Sequence, residues 1–212
     1  MRHFDLLDRA ILELDKALQT RAGAKKLAQR PTPVPESNSD NITDEQKLTA
    51  ARLMRVNHSG EVAAQALYQG QAFTAKLDSV REQMQHAADE EIDHLAWCED
   101  RLDELGAKPS ILNPVWYAGS FAIGALAGIA GDKWSLGFVE ETERQVVDHL
   151  QEHLDKLPEN DQRTRAIIEQ MQSDEAEHGD MAKDAGAADL PRPIKALMKL
   201  TSKVMTRSSY WI

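Results

Sequence analysis

One arrangement occurs twice in this chain and constrains its fold more than any other feature. Glu91-Ile92-Asp93-His94 follows Glu61 by 30 residues, and Glu175-Ala176-Glu177-His178 follows Glu143 by 32. Positions i and i+3 share a helix face, so each Glu-x-x-His pair can present a carboxylate and an imidazole to one point. A single such pair arises easily by chance in a glutamate-rich chain. Two pairs, each trailing a further Glu by a helix and a turn, describe two helical hairpins closing on a common centre. A four-helix bundle builds a two-metal site in this way.

The rest of the sequence fits an all-α bundle. Helix formers are abundant, and Gly and Pro fall mainly in clusters that punctuate the chain. Thr43-Asp44-Glu45-Gln46 has the capping-box pattern, which predicts a helix from Asp44 to about Lys76. A second helix is expected over 79–105, ending at Gly106. A third is expected over 134–157, before Pro158, and a fourth over 159–185, ending at Gly186.

Each helix has an apolar stripe containing a candidate ligand. The first stripe runs through Leu53, Asn57, Gly60, Glu61, Ala64 and Tyr68, the second through Ala87, Glu91, His94, Leu95 and Cys98. On the third, Val139, Val146 and Leu150 select Glu143 over Glu140 and Glu141, which drift off the face. The fourth aligns Ile168, Met171, Glu175, His178 and Ala182. An ionised Glu on a core stripe is costly unless paired or bound to metal. Glu61, Glu91, His94, Glu143, Glu175 and His178 are therefore the candidate metal ligands.

Four carboxylates and two neutral imidazoles balance two divalent cations, and an oxygen–imidazole set without thiolate suits iron or manganese. Glu90 and Asp174, each preceding a ligand Glu, are placed to reach a histidine on a facing helix. Asp93 and Glu177, inside the motifs, are expected in solvent. His58, His86, His149 and His153 are spare imidazoles. The single cysteine, Cys98, excludes an intramolecular disulfide and reads as a small buried helix residue. A net charge of −10 argues against nucleic acid as a partner.

The domain reading is an N-terminal amphipathic helix (within 1–30), a Pro-rich linker (31–43) with no assigned role, a bundle domain (44–190) and a C-terminal helix (191–212). The N-terminal helix is read over 4–28, and charges scattered through its apolar residues argue against a secretion signal. Two segments exceed what a plain soluble bundle needs. Residues 109–131 hold no charge across 23 positions and are rich in Gly and Ala. They predict an apolar crossover helix, buried in the bundle or facing a membrane, and less suited to spanning one. Residues 192–212 carry Lys195, Lys199, Lys203 and Arg207 at intervals of four, among apolar residues and ahead of Tyr210-Trp211. A basic amphipathic helix of this kind suits an anionic membrane surface.

With these residues in place, the sequence resembles the demethoxyubiquinone hydroxylases of ubiquinone biosynthesis. Arg55-Val56-Asn57-His58-Ser59-Gly60-Glu61 is similar to that family's R-V-(D/N)-H-(A/S)-G-E signature. The likeness continues through Tyr68-x-Gly70-Gln71, Asp89-Glu90-Glu91-x-x-His94-Leu95, Leu112-x-Pro114-x-Trp116 and Asp174-Glu175-x-x-His178. It covers about 50–185. The N-terminal extension and its linker look like those of bacterial members.

The resemblance implies a ferritin-like di-iron fold with the same six residues as iron ligands. It also implies O2 as co-substrate and a polyprenyl quinol as substrate. Electrons would come from the reduced quinone itself or from NADH, for which no glycine-rich nucleotide fingerprint is found. The protein would sit peripherally on the cytoplasmic face of a bacterial inner membrane, with a second subunit or other quinone-biosynthesis proteins as further partners. Some members have His-His-Tyr where this chain reads Asp148-His149-Leu150, so a role for that tyrosine does not transfer. Rival readings are a ferritin- or rubrerythrin-like ferroxidase or peroxidase, and a metal-free helical scaffold at a membrane surface.

Overall fold

The computed structural model describes residues 15, 20, 24–33 and 42–212. Most of the helix read over 4–28, and residues 34–41 of the linker, lie outside them. The described elements are helices throughout: α1 (Ala24–Leu27), α2 (Asp44–Thr74), α3 (Asp78–Glu104), α4 (Asn113–Ala130), α5 (Asp132–Lys156), α6 (Gln162–Asp184) and α7 (Arg192–Ser209). The fold class is the expected all-α bundle, with α2–α3 and α5–α6 as its two hairpins.

Helix limits follow local chemistry. Thr43 caps α2 through its side chain, and Gln46 reaches back to the Thr43 N–H, completing the predicted capping box. Gly106 and Gly186 take positive φ just past α3 and α6. The third bundle helix begins at Asp132, two residues earlier than expected, directly after Gly131 at φ +121°. The fourth begins at Gln162, three residues later than expected. Its cap is Asp161, whose side chain accepts from the Thr164 N–H and from Arg101 Nη2.

The core divides into two apolar plugs. One holds Leu53, Met54, Trp97, Leu102, Leu150, Ile168 and Met171. The other holds Tyr68, Val80, Met84, Leu136, Val139 and Ala182. On all four bundle helices the candidate ligands fall between these two sets. The site therefore occupies mid-bundle, with packed hydrocarbon above and below it.

α4 meets α2 at backbone distance. A Cβ on Gly124 would fall 2.1 Å from the Leu67 carbonyl oxygen, and one on Gly70 would fall 2.2 Å from that of Phe121. Small residues let these helices touch, and Gly124 and Gly128 are the buried residues of α4. Its other faces expose Val115, Ile123, Leu126 and Ile129. The crossover helix thus packs along one glycine stripe and presents apolar surface elsewhere. None of the described helices is long and apolar enough to cross a membrane.

α7 lies over α2 and α5. Arg52 stacks on Trp211 at 4.4 Å and on Tyr210 at 5.3 Å. Lys195 Nζ reaches Glu141 at 3.4 Å and Asp189 at 2.7 Å. Leu197, Leu200, Val204 and Trp211 remain exposed.

Candidate metal centre

All six predicted ligands are buried: Glu61, Glu91, His94, Glu143, Glu175 and His178 are each 5 % exposed or less. Ligand atoms of Glu61, Glu91, His94 and Glu175 lie within 4.8 Å of one another. His94 Nδ1 is 3.2 Å from Glu91 Oε2, 3.1 Å from Glu175 Oε1 and 3.8 Å from Glu61 Oε2. On the opposite side, His178 Nδ1 is 3.2 Å from Glu175 Oε2 and 3.9 Å from Glu91 Oε1. Glu91 and Glu175 each lie near both imidazoles, as carboxylates shared between two cations would. Glu143 completes the set beside Glu175 and accepts a hydrogen bond from the Tyr68 hydroxyl.

The orientation of both rings is fixed from behind. His94 Nε2 faces Asp174 Oδ2 at 2.9 Å, and His178 Nε2 faces Glu90 Oε2 at 2.8 Å. Each carboxylate sits one residue before a ligand Glu and crosses to the facing helix, as their positions predict. An Nε2–H held outward leaves Nδ1 with its lone pair turned inward, the arrangement of a metal-binding imidazole.

The carboxylates cannot all ionise here unaided. Burial, then the charges of Glu175 and Glu61, push the Glu91 carboxyl well above the usual range. Burial and the Glu175 charge push Glu143 up likewise. Burial also pushes on Glu175, but the His178 and His94 rings beside it outweigh that and draw the group down. Three inward oxygens, Glu91 Oε1, Glu143 Oε2 and Glu175 Oε1, have no hydrogen-bond partner. Unpartnered buried carboxylate oxygens converging with two imidazole lone pairs fit divalent cations, and the donor set is one that iron accepts. Cys98, one turn past His94, belongs to the apolar plug, and burial raises its thiol well above the ordinary value.

Three residues differ from the sequence reading or were missed by it. Asp93 is not in solvent: it is 4 % exposed and accepts from Arg30 Nε at 2.8 Å and from the Gln29 N–H at 2.7 Å. Arg30, the last residue of the N-terminal segment ahead of the linker, also donates through Nη1 to Asp174 at 2.9 Å and stacks on Trp97 at 4.8 Å. It thereby joins the N-terminal segment to the carboxylate behind His94. Glu141 does lie off the ligand stripe, yet it is buried, because α7 covers it and Lys195 and Arg144 pair with it. Glu177 is exposed, as expected.

An apolar cavity of about 420 Å³ leads to the centre. Glu61, Glu143 and Glu175 stand at its inner end, and its walls include Leu67, Trp116, Ile123, Phe138, Leu197 and Met198. It therefore runs from the ligands to the two helices with exposed apolar faces, α4 and α7. Asn57, 2 % exposed, lines this cavity with an unpartnered Oδ1, and His149 lines it with an unpartnered Nε2.

Two helical hairpins joined around a buried glutamate–histidine cluster define a ferritin-like all-α bundle whose centre fits a metal site, here with an apolar access cavity. The model of the family described as "Ubiquinone biosynthesis protein COQ7" matches residues 48–209, and the chain belongs to that family. Its relatives include 3-demethoxyubiquinol 3-hydroxylases from Legionella pneumophila (strain Paris), 56 % identical over all of both chains, and from Acinetobacter baylyi, 55 % identical over all of both. The corresponding protein of Nitrosococcus oceani is 54 % identical across all of this chain and 99 % of its own.

Proposed function

We propose that this protein is a di-iron monooxygenase that hydroxylates a polyprenylated demethoxybenzoquinol, the activity for which its relatives are named. The observation that carries the reading is the apolar cavity ending on Glu61, Glu143 and Glu175. A hydrated cation entering for oxidation or storage needs a polar path. A quinol ring with an isoprenoid tail needs an apolar one, and this cavity favours the hydroxylase over the ferroxidase reading.

Glu61, Glu91, His94, Glu143, Glu175 and His178 would hold two iron ions. When bound, the irons supply reductive activation of O2 and delivery of one oxygen atom to the ring. The chain's own groups do the rest. Asp174 and Glu90 fix the two imidazoles. Tyr68 holds one oxygen of Glu143 and so limits how that carboxylate swings. Asn57 Oδ1 is available to accept a ring hydroxyl, which would orient the quinol against the ligands. The two apolar plugs exclude water from the reacting end.

The quinol resides in a bilayer, so the enzyme must lie against one. The exposed apolar faces of α4 and α7, with the cations of α7, support a peripheral position on the cytoplasmic face of the inner membrane. Electrons would arrive through the reduced quinone itself or from NADH.

The test incubates iron-loaded protein with a short-chain demethoxyquinol under 18O2 and analyses products by mass spectrometry. Hydroxylated product with one 18O atom, absent with Glu175→Ala, is the expected result. Iron oxidation without labelled product, in protein that holds two irons and binds the quinol, would favour the ferroxidase or peroxidase reading instead.

A further inference from the structure

A second cleft, of about 510 Å³, lies between α5 and α7 beside the apolar cavity. Its chemistry is opposite to that of the first. Arg144, Lys156, Lys199, Lys203 and Arg207 line it, against the carboxylates of Asp148 and Glu152. Those two acids are taken: Asp148 pairs with Arg144 at 3.2 Å and Glu152 with Lys156 at 3.7 Å. Lys199, Lys203 and Arg207 have no ion pair among the described residues. Three uncompensated cations therefore face one cleft on a chain whose net charge is −10.

The floor is polar and unsatisfied. His153 is 2 % exposed, yet its Nδ1 has no partner, and Nε2 of His149 is also unpartnered. The two rings pack edge to face at 4.0 Å. Ser202 and Thr206 add hydroxyls to the same wall. Two histidines at i and i+4 could suggest a metal, but three uncompensated cations would repel one. Imidazole N–H groups, hydroxyls, ammonium groups and a guanidinium instead form a donor set for a phosphate.

The surroundings indicate what carries that phosphate. The cleft shares Val56, Gln145, His149, Ser202 and Thr206 with the apolar cavity. Trp211 lies at its rim, and Leu197, Leu200 and Val204 are exposed along the same helix. A phosphate attached to hydrocarbon satisfies both surfaces at once, and a freely soluble phosphate satisfies one.

We propose that the cleft between α5 and α7 is a binding site for the phosphate headgroup of an anionic membrane lipid. The site would seat one lipid beside the mouth of the quinol cavity, which is more than diffuse attraction of α7 to a charged surface. The inference rests on the membrane-facing reading above, and two measurements separate them.

Iron-loaded protein is titrated calorimetrically with dihexanoyl phosphatidylglycerol below its micelle concentration, and separately with inorganic phosphate, at constant ionic strength. Sedimentation with phosphatidylglycerol vesicles is run in parallel. Saturable one-to-one binding of the short-chain lipid is expected. The double variant Lys203→Gln/Arg207→Gln should weaken it at least about tenfold, the loss of a charge-assisted contact. Lys183→Gln, an exposed lysine on α6, should leave it unchanged. Vesicle binding without saturable binding of the soluble lipid would overturn the cleft and leave membrane docking standing. Inorganic phosphate binding as tightly as the lipid would overturn the lipid assignment in favour of a soluble phosphate compound. Binding indifferent to the double variant would overturn the location.

Discussion

Replacing Asp174 with Asn tests the metal centre from behind, without removing a ligand. Asp174 Oδ2 sits 2.9 Å from His94 Nε2 and 2.9 Å from Arg30 Nη1. Burial pushes this carboxyl up, but hydrogen bonds from His94, Gln170 and Arg30 prevail and hold it at about 2. It is therefore a full negative charge at neutral pH. Asn keeps the shape but removes the charge that fixes the Nε2–H tautomer and makes Nδ1 more basic. Loss of such a partner behind a ligating histidine costs roughly 10- to 100-fold in metal affinity, which is about 1.4–2.7 kcal/mol. Asp93→Asn is the matched control. It breaks the other half of the Arg30 clamp, at 2.8 Å, without touching an imidazole, and should leave metal affinity near that of the unaltered protein. Anaerobic competition for Fe2+ against a chelator gives the affinities, and Co2+ absorption reports the coordination. Equal affinity in Asp174→Asn and the unaltered protein would refute His94 as a ligand held from behind.

Two further perturbations probe the frame around the centre. Gly124→Val drives a side chain into the Leu67 carbonyl, 2.1 Å from the Cβ position. It should destabilise by about 1–3 kcal/mol and lower Tm by roughly 2–4 °C per kcal/mol, whereas Gly119→Val, with nothing within 4 Å, should not; equal Tm values would refute close α2–α4 packing. The Glu141 carboxyl is pushed up by burial but drawn below its ordinary 4.5, net, by hydrogen bonds from Arg144, Gln145 and Lys195. A depressed folded pKa contributes stability above the unfolded value and loses it as pH falls through the folded one. Amide exchange in α7 should therefore accelerate as pH drops below about 4.5, relative to the exchange rates intrinsic to each pH. Glu141→Gln should already show the faster exchange at neutral pH and little further change; full retention of the acid response in that variant would sink the assignment.

What could be read from the sequence is what local periodicity encodes. The i, i+3 spacing of each Glu-x-x-His and its distance from Glu61 or Glu143 follow from helix geometry, so these six residues could be picked out without coordinates. Glu90 and Asp174 were legible for the same reason, because a residue beside a ligand turns toward the neighbouring helix. Arg30 was not legible. It meets Asp93 and Asp174 across 63 and 144 residues, and nothing local distinguishes it from any arginine before a proline. Asp93 was misread as solvated because the group that covers it comes from that same distant segment. Glu141 was placed on the correct side of its helix, but its burial depends on α7, whose docking the periodicity of α5 does not reveal. The apolar cavity likewise belongs to five helices at once and has no signature in any one of them.

The glycine contact between α2 and α4 also acts as a ruler. Leu67, whose carbonyl backs Gly124, lies six residues from Glu61 on one uninterrupted helix, a rise of about 9 Å. Because the two backbones touch, α4 has no side-chain layer along which to slide. The offset between its exposed apolar surface and the metal ligands is thus a built-in length. An insertion in α2 between Glu61 and Leu67 would change that length with every ligand still present, and so alter how much of a long substrate's tail can remain outside when its ring reaches the centre.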